Sequence, residues 1–297
     1  MEQQMRFARE WAPWLAEAGK AGRSARDLLA EMARERLDET AAREVIEEFF
    51  ARLTGAPAPW QRAPLRSLGK GPADEAGAFD TDSRMPSGHV IHAVDRDVRV
   101  LTRVKRPIIA VLDNVLSAQE CDRMRSMGRP KLSRSKVMNT QTGDEMVMDI
   151  RTSEGCYFER GGNELIRRIE ARASAIMGMA PEHGEPLQLV RYRAGGEYVP
   201  HCDFFPLDSP GSDAHLAIGG QRVSTLIMYL CDVQSGGETV FPEIGFSYVP
   251  RKGQALYFEY TDATGASDPL SLHAGAPLGS GEKWILTKWM RERACVY

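Results

Sequence analysis

No stretch of this 297-residue chain approaches the roughly 18 consecutive apolar residues that a membrane-spanning helix needs. The opening residues, Met1-Glu2-Gln3-Gln4-Met5-Arg6, carry no apolar core of signal-peptide length, so the reading predicts no membrane partner. Cysteine is sparse and odd in number: Cys121, Cys156, Cys202, Cys231 and Cys295 are scattered, without a Cys-x-x-Cys pair. That argues against a disulfide framework and a structural zinc knuckle, and favours a reducing, cytoplasmic compartment. A formal charge of −3 gives no electrostatic case for nucleic acid or anionic lipid. Internal repeats, Gly-x-Gly-x-x-Gly and the Walker pattern are all absent, which removes the usual dinucleotide and phosphate-loop readings.

What is present divides into three parts. Residues 1–55 read as a helical N-terminal segment: good helix formers follow Ser24, and Val45, Ile46, Phe49, Phe50 and Leu53 lie on one face of a helix ending at Gly55. The simplest expectation is a small helical bundle packed on the main domain. Presenting a peptide, forming a homodimer and merely covering the main domain stay open as its role. Residues 56–96 turn to Pro, Gly, Ala and short polar residues without periodicity, as in a linker or wrapping segment. His89 and His92 lie there with no third ligand nearby and are expected to be ordinary surface residues.

Residues 97–297 form the third part. Apolar and polar residues alternate over 98–104, a short apolar run follows at 108–112, and Ser117-Ala118-Gln119-Glu120 is a capping-box signature. A helix is predicted over 163–177. Strands are predicted at 187–192, 223–230, 245–249, 255–260 and 284–290, punctuated by glycine-rich turns. Many short strands, no βαβ rhythm and helices concentrated upstream predict an α+β, mainly β fold: a double-sheet jelly roll with flanking helices and an extra N-terminal helical segment.

The chemistry centres on His201-Cys202-Asp203, with His273 downstream and Lys283 ten residues beyond it. Two imidazoles and a carboxylate occupy one face of an octahedral ion and leave the other open, the ligand set of non-haem Fe(II) oxygenases. His and Asp two apart on a strand point the same way, and Cys202 between them is expected to face away into packing.

From about Arg106 to Glu292 the sequence resembles the prolyl 4-hydroxylase branch of the Fe(II)/2-oxoglutarate dioxygenases. The resemblance rests on Ile150-Arg151-Thr152-Ser153, Glu182-His183-Gly184-Glu185, Tyr192-Arg193-Ala194-Gly195-Gly196-Glu197-Tyr198-Val199-Pro200-His201-Cys202-Asp203, Gly219-Gly220-Gln221-Arg222, Gly236-Gly237-Glu238-Thr239 and His273 through Lys283 to Trp289. It implies a double-stranded β-helix of the cupin-like jelly-roll kind, with its core over about 187–292. It also implies His201, Asp203 and His273 as ligands of Fe(II), and Lys283 with Thr239 and Tyr192 as the site for the distal carboxylate of 2-oxoglutarate. O2 is the second co-substrate and ascorbate the expected reductant. On the substrate side it implies Arg222, Tyr198 and Trp289, with the loop 139–145 closing over a peptide; His215, in the long loop after Asp203, has no role assigned by the resemblance.

One departure stands out. The family commonly reads Trp-(Leu/Ile)-His-Glu where this chain has Trp289-Met290-Arg291-Glu292. A guanidinium in place of an imidazole makes Arg291 a candidate for an acidic substrate group. The expected activity is therefore hydroxylation of a prolyl residue in a peptide or protein, with a free amino acid or natural-product small molecule as the alternative. Two other classes compete: a zinc hydrolase, which would have no use for Lys283 with Tyr192 and Thr239, and a non-catalytic 2-oxoglutarate- or oxygen-sensing module.

Overall fold

The computed structural model describes residues 83–138, 142–147, 151–261 and 265–295. The chain divides into two compact units, residues 1–76 with 147–150, and residues 77–146 with 151–297. The predicted N-terminal helices and most of the expected linker lie outside the described residues. The remainder of that linker already contains a strand.

In chain order the strands are β1 (Val90–Ala93), β2 (Arg96–Val104), β3 (Ile109–Asp113), β4 (Ser133–Arg134), β5 (Lys136–Met138), β6 (Glu145–Val147), β7 (Glu154–Phe158), β8 (Leu187–Arg193), β9 (Tyr198–His201) and β10 (Arg222–Tyr229). They continue with β11 (Ser235–Gly236), β12 (Thr239–Phe241), β13 (Phe246–Tyr248), β14 (Ala255–Glu259), β15 (His273–Gly275), β16 (Leu278–Ser280) and β17 (Glu282–Arg291). Three α-helices are interspersed among the described residues: α1 (Ala118–Gly128), α2 (Glu164–Met177) and α3 (Asp213–Gly219).

Both longer helices start where their capping residues place them. Ser117 and Glu120 cap α1 reciprocally, and the Asn163 side chain accepts from Ile166 N at 3.0 Å to open α2. Such a cap contributes about 1 kcal/mol. Helix α2 stops at Gly178, which takes φ 62°; a Cβ there would sit 1.9 Å from the Arg84 carbonyl, so only glycine fits.

A nine-stranded antiparallel sheet, ordered β1-β2-β3-β14-β10-β17-β8-β7-β4, forms the body of the unit. Its period-two alternation sorts side chains between two cores. On one face Leu189, Leu226, Met228, Tyr257 and Leu286 pack with Met124 of α1 and Ile166, Ile169 and Ile176 of α2. On the other, Val190, Tyr192, Ile227, Tyr229, Phe258 and Ile285 pack with Phe241 and Tyr248 of a four-stranded sheet, β13-β12-β15-β9. Two opposed sheets with the second core between them make the jelly roll. The long hydrophobic strands of the large sheet match the sequence expectation closely. The short strands β9, β12 and β15 do not announce themselves by periodicity, yet they carry much of the candidate site.

A candidate metal and co-substrate site

Pairing of β15 with β9 sets His273 opposite His201, which brings together two histidines 72 positions apart in the chain. Asp203 lies just beyond β9, which ends at His201, so strand alternation is not what aims its carboxylate, contrary to the sequence expectation. Instead Thr225 on β10 donates to Asp203 Oδ2 at 2.6 Å and fixes it. Asp203 Oδ1 is 3.8 Å from His201 Nε2, and Oδ2 is 3.7 Å from His273 Nε2. All three donor atoms fall within 4.8 Å of one another, close enough to share one cation.

The imidazoles are oriented alike. His201 Nδ1 donates to the Val199 carbonyl at 2.8 Å and His273 Nδ1 to the Ser271 carbonyl at 3.0 Å, which leaves both Nε2 lone pairs aimed at the shared space. Tyr198 stacks on the His201 ring with centroids 3.6 Å apart, and Phe258 packs edge-on to His273 at 4.6 Å. Burial, reinforced by His273, pushes the His201 pKa down to about 3, so its nitrogen is kept free of a proton. Burial opposes the charge of Asp203, but the neighbouring His273, His201 and Arg222 and the Thr225 hydroxyl outweigh it and hold its carboxyl below the usual range. An unprotonated His201 nitrogen and an ionised Asp203 are protonation states that a divalent ion requires. The donor set fits Fe(II).

Lys283 stands on β17 opposite Tyr192 of β8 and is only 3% exposed. Its Nζ lies 5.7 Å from the Tyr192 ring and 5.9 Å from the Tyr229 ring, and a Cβ at Gly275, two residues beyond His273, would approach it to 4.0 Å. Burial lowers its pKa to about 8, offset only in part by Glu238, and no described carboxylate pairs with it. Thr239 is buried nearby, but its hydroxyl is engaged with Tyr229 Oη at 2.7 Å. Tyr229 is thus a site neighbour that the sequence reading placed on a strand without giving it a role. Thr225 was missed for the same reason; its place in register with Ile227 and Tyr229 on the inward face is the signal that could have found it.

The sequence profile of the 2OG-Fe(II) oxygenase superfamily matches residues 187–291, which include every one of these side chains. A probable prolyl 4-hydroxylase 8 of Arabidopsis thaliana is 37% identical over 202 residues, spanning 62% of this chain and 68% of that protein. Prolyl 4-hydroxylase 1 of the same plant is 38% identical over 203 residues, spanning 63% and 70%. The chain belongs to the prolyl 4-hydroxylase family of 2-oxoglutarate/Fe(II) oxygenases. Among solved structures, a viral collagen prolyl hydroxylase from Paramecium Bursaria Chlorella virus-1 aligns with a TM-score of 0.49 at 29% identity, over 62% of this chain and 95% of that one.

The remaining residues singled out from the family pattern separate into two groups. Arg222 faces the site because a bulge between Arg222 and Ser224 turns it from the outward to the inward side of β10. Its guanidinium lies 4.2 Å over the Trp289 ring, and its Nη1 reaches the Asp203 carbonyl at 3.4 Å. Trp289 Nε1 is buried without a hydrogen-bond partner among the described residues. Arg291 behaves differently. It is 1% exposed, and its donors go to Glu185 Oε1 at 3.0 Å, to the Gly220 carbonyl at 2.9 Å and to the His215 carbonyl. A guanidinium so engaged is not available to a substrate carboxylate, which corrects the expectation drawn from sequence. Glu185 was quoted only as part of a matching stretch, yet it accepts both arginines. His215 donates from Nε2 to the Gly143 carbonyl at 3.0 Å, tying the loop before β6 to α3. His183 Nδ1 donates to the Arg291 carbonyl at 2.9 Å, and His92 pairs with Asp97 in solvent.

Proposed function

We propose that the chain hydroxylates prolyl residues of a peptide or protein substrate. The observation that carries the reading is a buried lysine with no paired carboxylate among the described residues, set beside two imidazoles and an ionised Asp that converge on one point. A buried ammonium without an anion is costly, and a dicarboxylate co-substrate supplies the missing partner. Similarity to relatives named as prolyl 4-hydroxylases, 37% and 38% identical over about two thirds of their length, supports the substrate class.

His201, Asp203 and His273 would hold Fe(II), with Thr225 fixing the Asp203 carboxylate and the Val199 and Ser271 carbonyls fixing the imidazole tautomers. When bound, the iron with 2-oxoglutarate and O2 supplies the oxidation, yielding succinate, CO2 and one oxygen on the substrate. Lys283 would hold the distal carboxylate as a point charge, and the Thr239 and Tyr229 hydroxyls with Tyr192 would orient it. Tyr198, Phe241 and Phe258 screen the centre from bulk water. On the substrate side, the Nη1 edge of Arg222 and the unpartnered Trp289 Nε1 offer hydrogen bonds to a backbone carbonyl. Ascorbate is proposed as the reductant that restores Fe(II), and the five free cysteines agree with a reducing, cytoplasmic setting.

The test is mass spectrometry of a proline-rich peptide panel, with free proline alongside, after incubation with Fe(II), 2-oxoglutarate and ascorbate. One added oxygen on a peptidyl proline is the expected result. Oxygen on free proline alone, or succinate with every peptide unchanged, would overturn the assignment.

A further inference from the structure

Glu185 is 5% exposed and meets two guanidinium groups. Arg222 grips it with Nε and Nη2 at 2.7 and 2.8 Å, while Arg291 Nη1 reaches the same Oε1 at 3.0 Å. Its backbone is held as well: Glu185 N donates to the Trp289 carbonyl at 3.0 Å, and Lys288 Nζ donates to the Glu185 carbonyl at 2.5 Å. We propose that Arg291 is a positioning residue for substrate, one that acts through Glu185 to fix the pose of Arg222. The inference rests on the hydroxylase reading given above.

The geometry separates two jobs of Arg291. One is electrostatic. The carboxyl torsion of a glutamate is broad and roughly two-fold, so a single bidentate partner leaves the pair free to swing together. A second cation on Oε1 stops that motion. Because Trp289 lies beneath Arg222 at 4.2 Å and Phe205 at 4.9 Å, the guanidinium plane is then set in all directions. Among the described residues the remaining donor, Nη1, has only the long 3.4 Å contact to the Asp203 carbonyl, and it is the edge offered to substrate. The other job is structural. Arg291 Nε and Nη2 serve the Gly220 carbonyl at 2.9 and 2.6 Å, and Nη2 also serves the His215 carbonyl, one acceptor just past the end of α3 and one within it.

A lysine at this position keeps the charge but cannot reproduce the planar fork, so it divides the two jobs. The iron-loaded full chain would be compared as wild type, Arg291→Lys and Arg291→Gln, with a peptide that the wild type hydroxylates. In Arg291→Gln the peptide KM is expected to rise about tenfold with the KM for 2-oxoglutarate unchanged, and succinate is expected to exceed hydroxylated peptide. In Arg291→Lys the melting temperature is expected to stay below wild type while the peptide KM returns close to it. A peptide KM unmoved by Arg291→Gln, or raised equally by both substitutions, would overturn the inference. Should Arg291→Gln yield no folded protein, Arg291→Lys decides alone: wild-type peptide KM at a lowered melting temperature supports the inference, and the two changing together overturns it.

Should the wild type hydroxylate no peptide, the function fails separately, and the nitrogen NMR signal of Arg222 Nε reads the positioning directly. It is expected to be sharp and slowly exchanging in wild type and Arg291→Lys and broadened in Arg291→Gln. A sharp signal in Arg291→Gln, or a broadened one in both variants, would overturn the inference.

Discussion

Buried charge is handled in opposite ways on the two sides of this site. Around Glu185, one carboxylate and two guanidinium groups satisfy each other within 3.0 Å. Around Asp203 and Lys283, the described residues leave the charges open: Asp203 has one hydroxyl donor and two imidazole nitrogens that converge with it, and Lys283 has no paired anion. Buried polar groups are nearly always partnered, so an open set signals partners that the described residues do not themselves supply. The closed cluster organises; the open one receives.

Substitutions can break that contrast, starting with the largest effect. Asp203→Ala is expected to abolish succinate formation, a loss of at least about a thousandfold, because two imidazoles alone hold Fe(II) poorly. Retained turnover would place the metal elsewhere. Lys283→Ala is expected to raise the 2-oxoglutarate requirement by about tenfold to a hundredfold, the usual range for losing one buried charge-assisted contact. The same change should leave the melting temperature level or slightly higher, since it removes a buried charge without a partner. Glu185→Gln should do the reverse. By stranding two guanidinium groups it should destabilise the fold by about 3 kcal/mol, measured by denaturant unfolding, and leave 2-oxoglutarate affinity nearly unchanged.

A smaller effect is expected from Thr225→Val, which frees the Asp203 carboxylate. Iron affinity should fall about tenfold, as it does when an outer-shell partner of a metal ligand is removed. The smallest effect is on pH dependence. Lys283 has its pKa lowered to about 8 by burial, so the free protein carries the charge below that pH and loses it above. Affinity for 2-oxoglutarate should therefore weaken as pH climbs past about 8, with proton uptake on binding, and Lys283→Ala should flatten that profile. The same lowered pKa means the unfolded chain holds more protons between about pH 8 and 10.5. Stability of the free protein should gain from this group as pH rises through that window.

Much of the fold was legible in the sequence because the large sheet obeys simple rules. Strands β8, β10, β14 and β17 are buried along nearly their whole length and put apolar residues on both faces, each face meeting its own core, and α2 runs from its Asn163 cap to Gly178 as the pattern predicts. The short strands β9, β12 and β15 have three or four residues each, too few for periodicity to register, so His201 and His273 were recognised by motif alone. Asp203 was expected on a strand and lies past its end. Arg291 was misread because its role depends on Glu185, 106 positions away, and on carbonyls beyond α3 that no spacing rule reveals. Arg222 faces inward by virtue of a bulge, which alternation alone would have put on the wrong side.

The most direct test of the open-site account is calorimetric titration of 2-oxoglutarate into the anaerobic, Fe(II)-loaded chain, with Lys283→Ala and Asp203→Ala in parallel. The account predicts one equivalent bound by the wild type, weakened binding in Lys283→Ala and none dependent on metal in Asp203→Ala. Wild-type affinity in Lys283→Ala would show that the buried lysine is not the carboxylate's partner and would contradict the account at its centre.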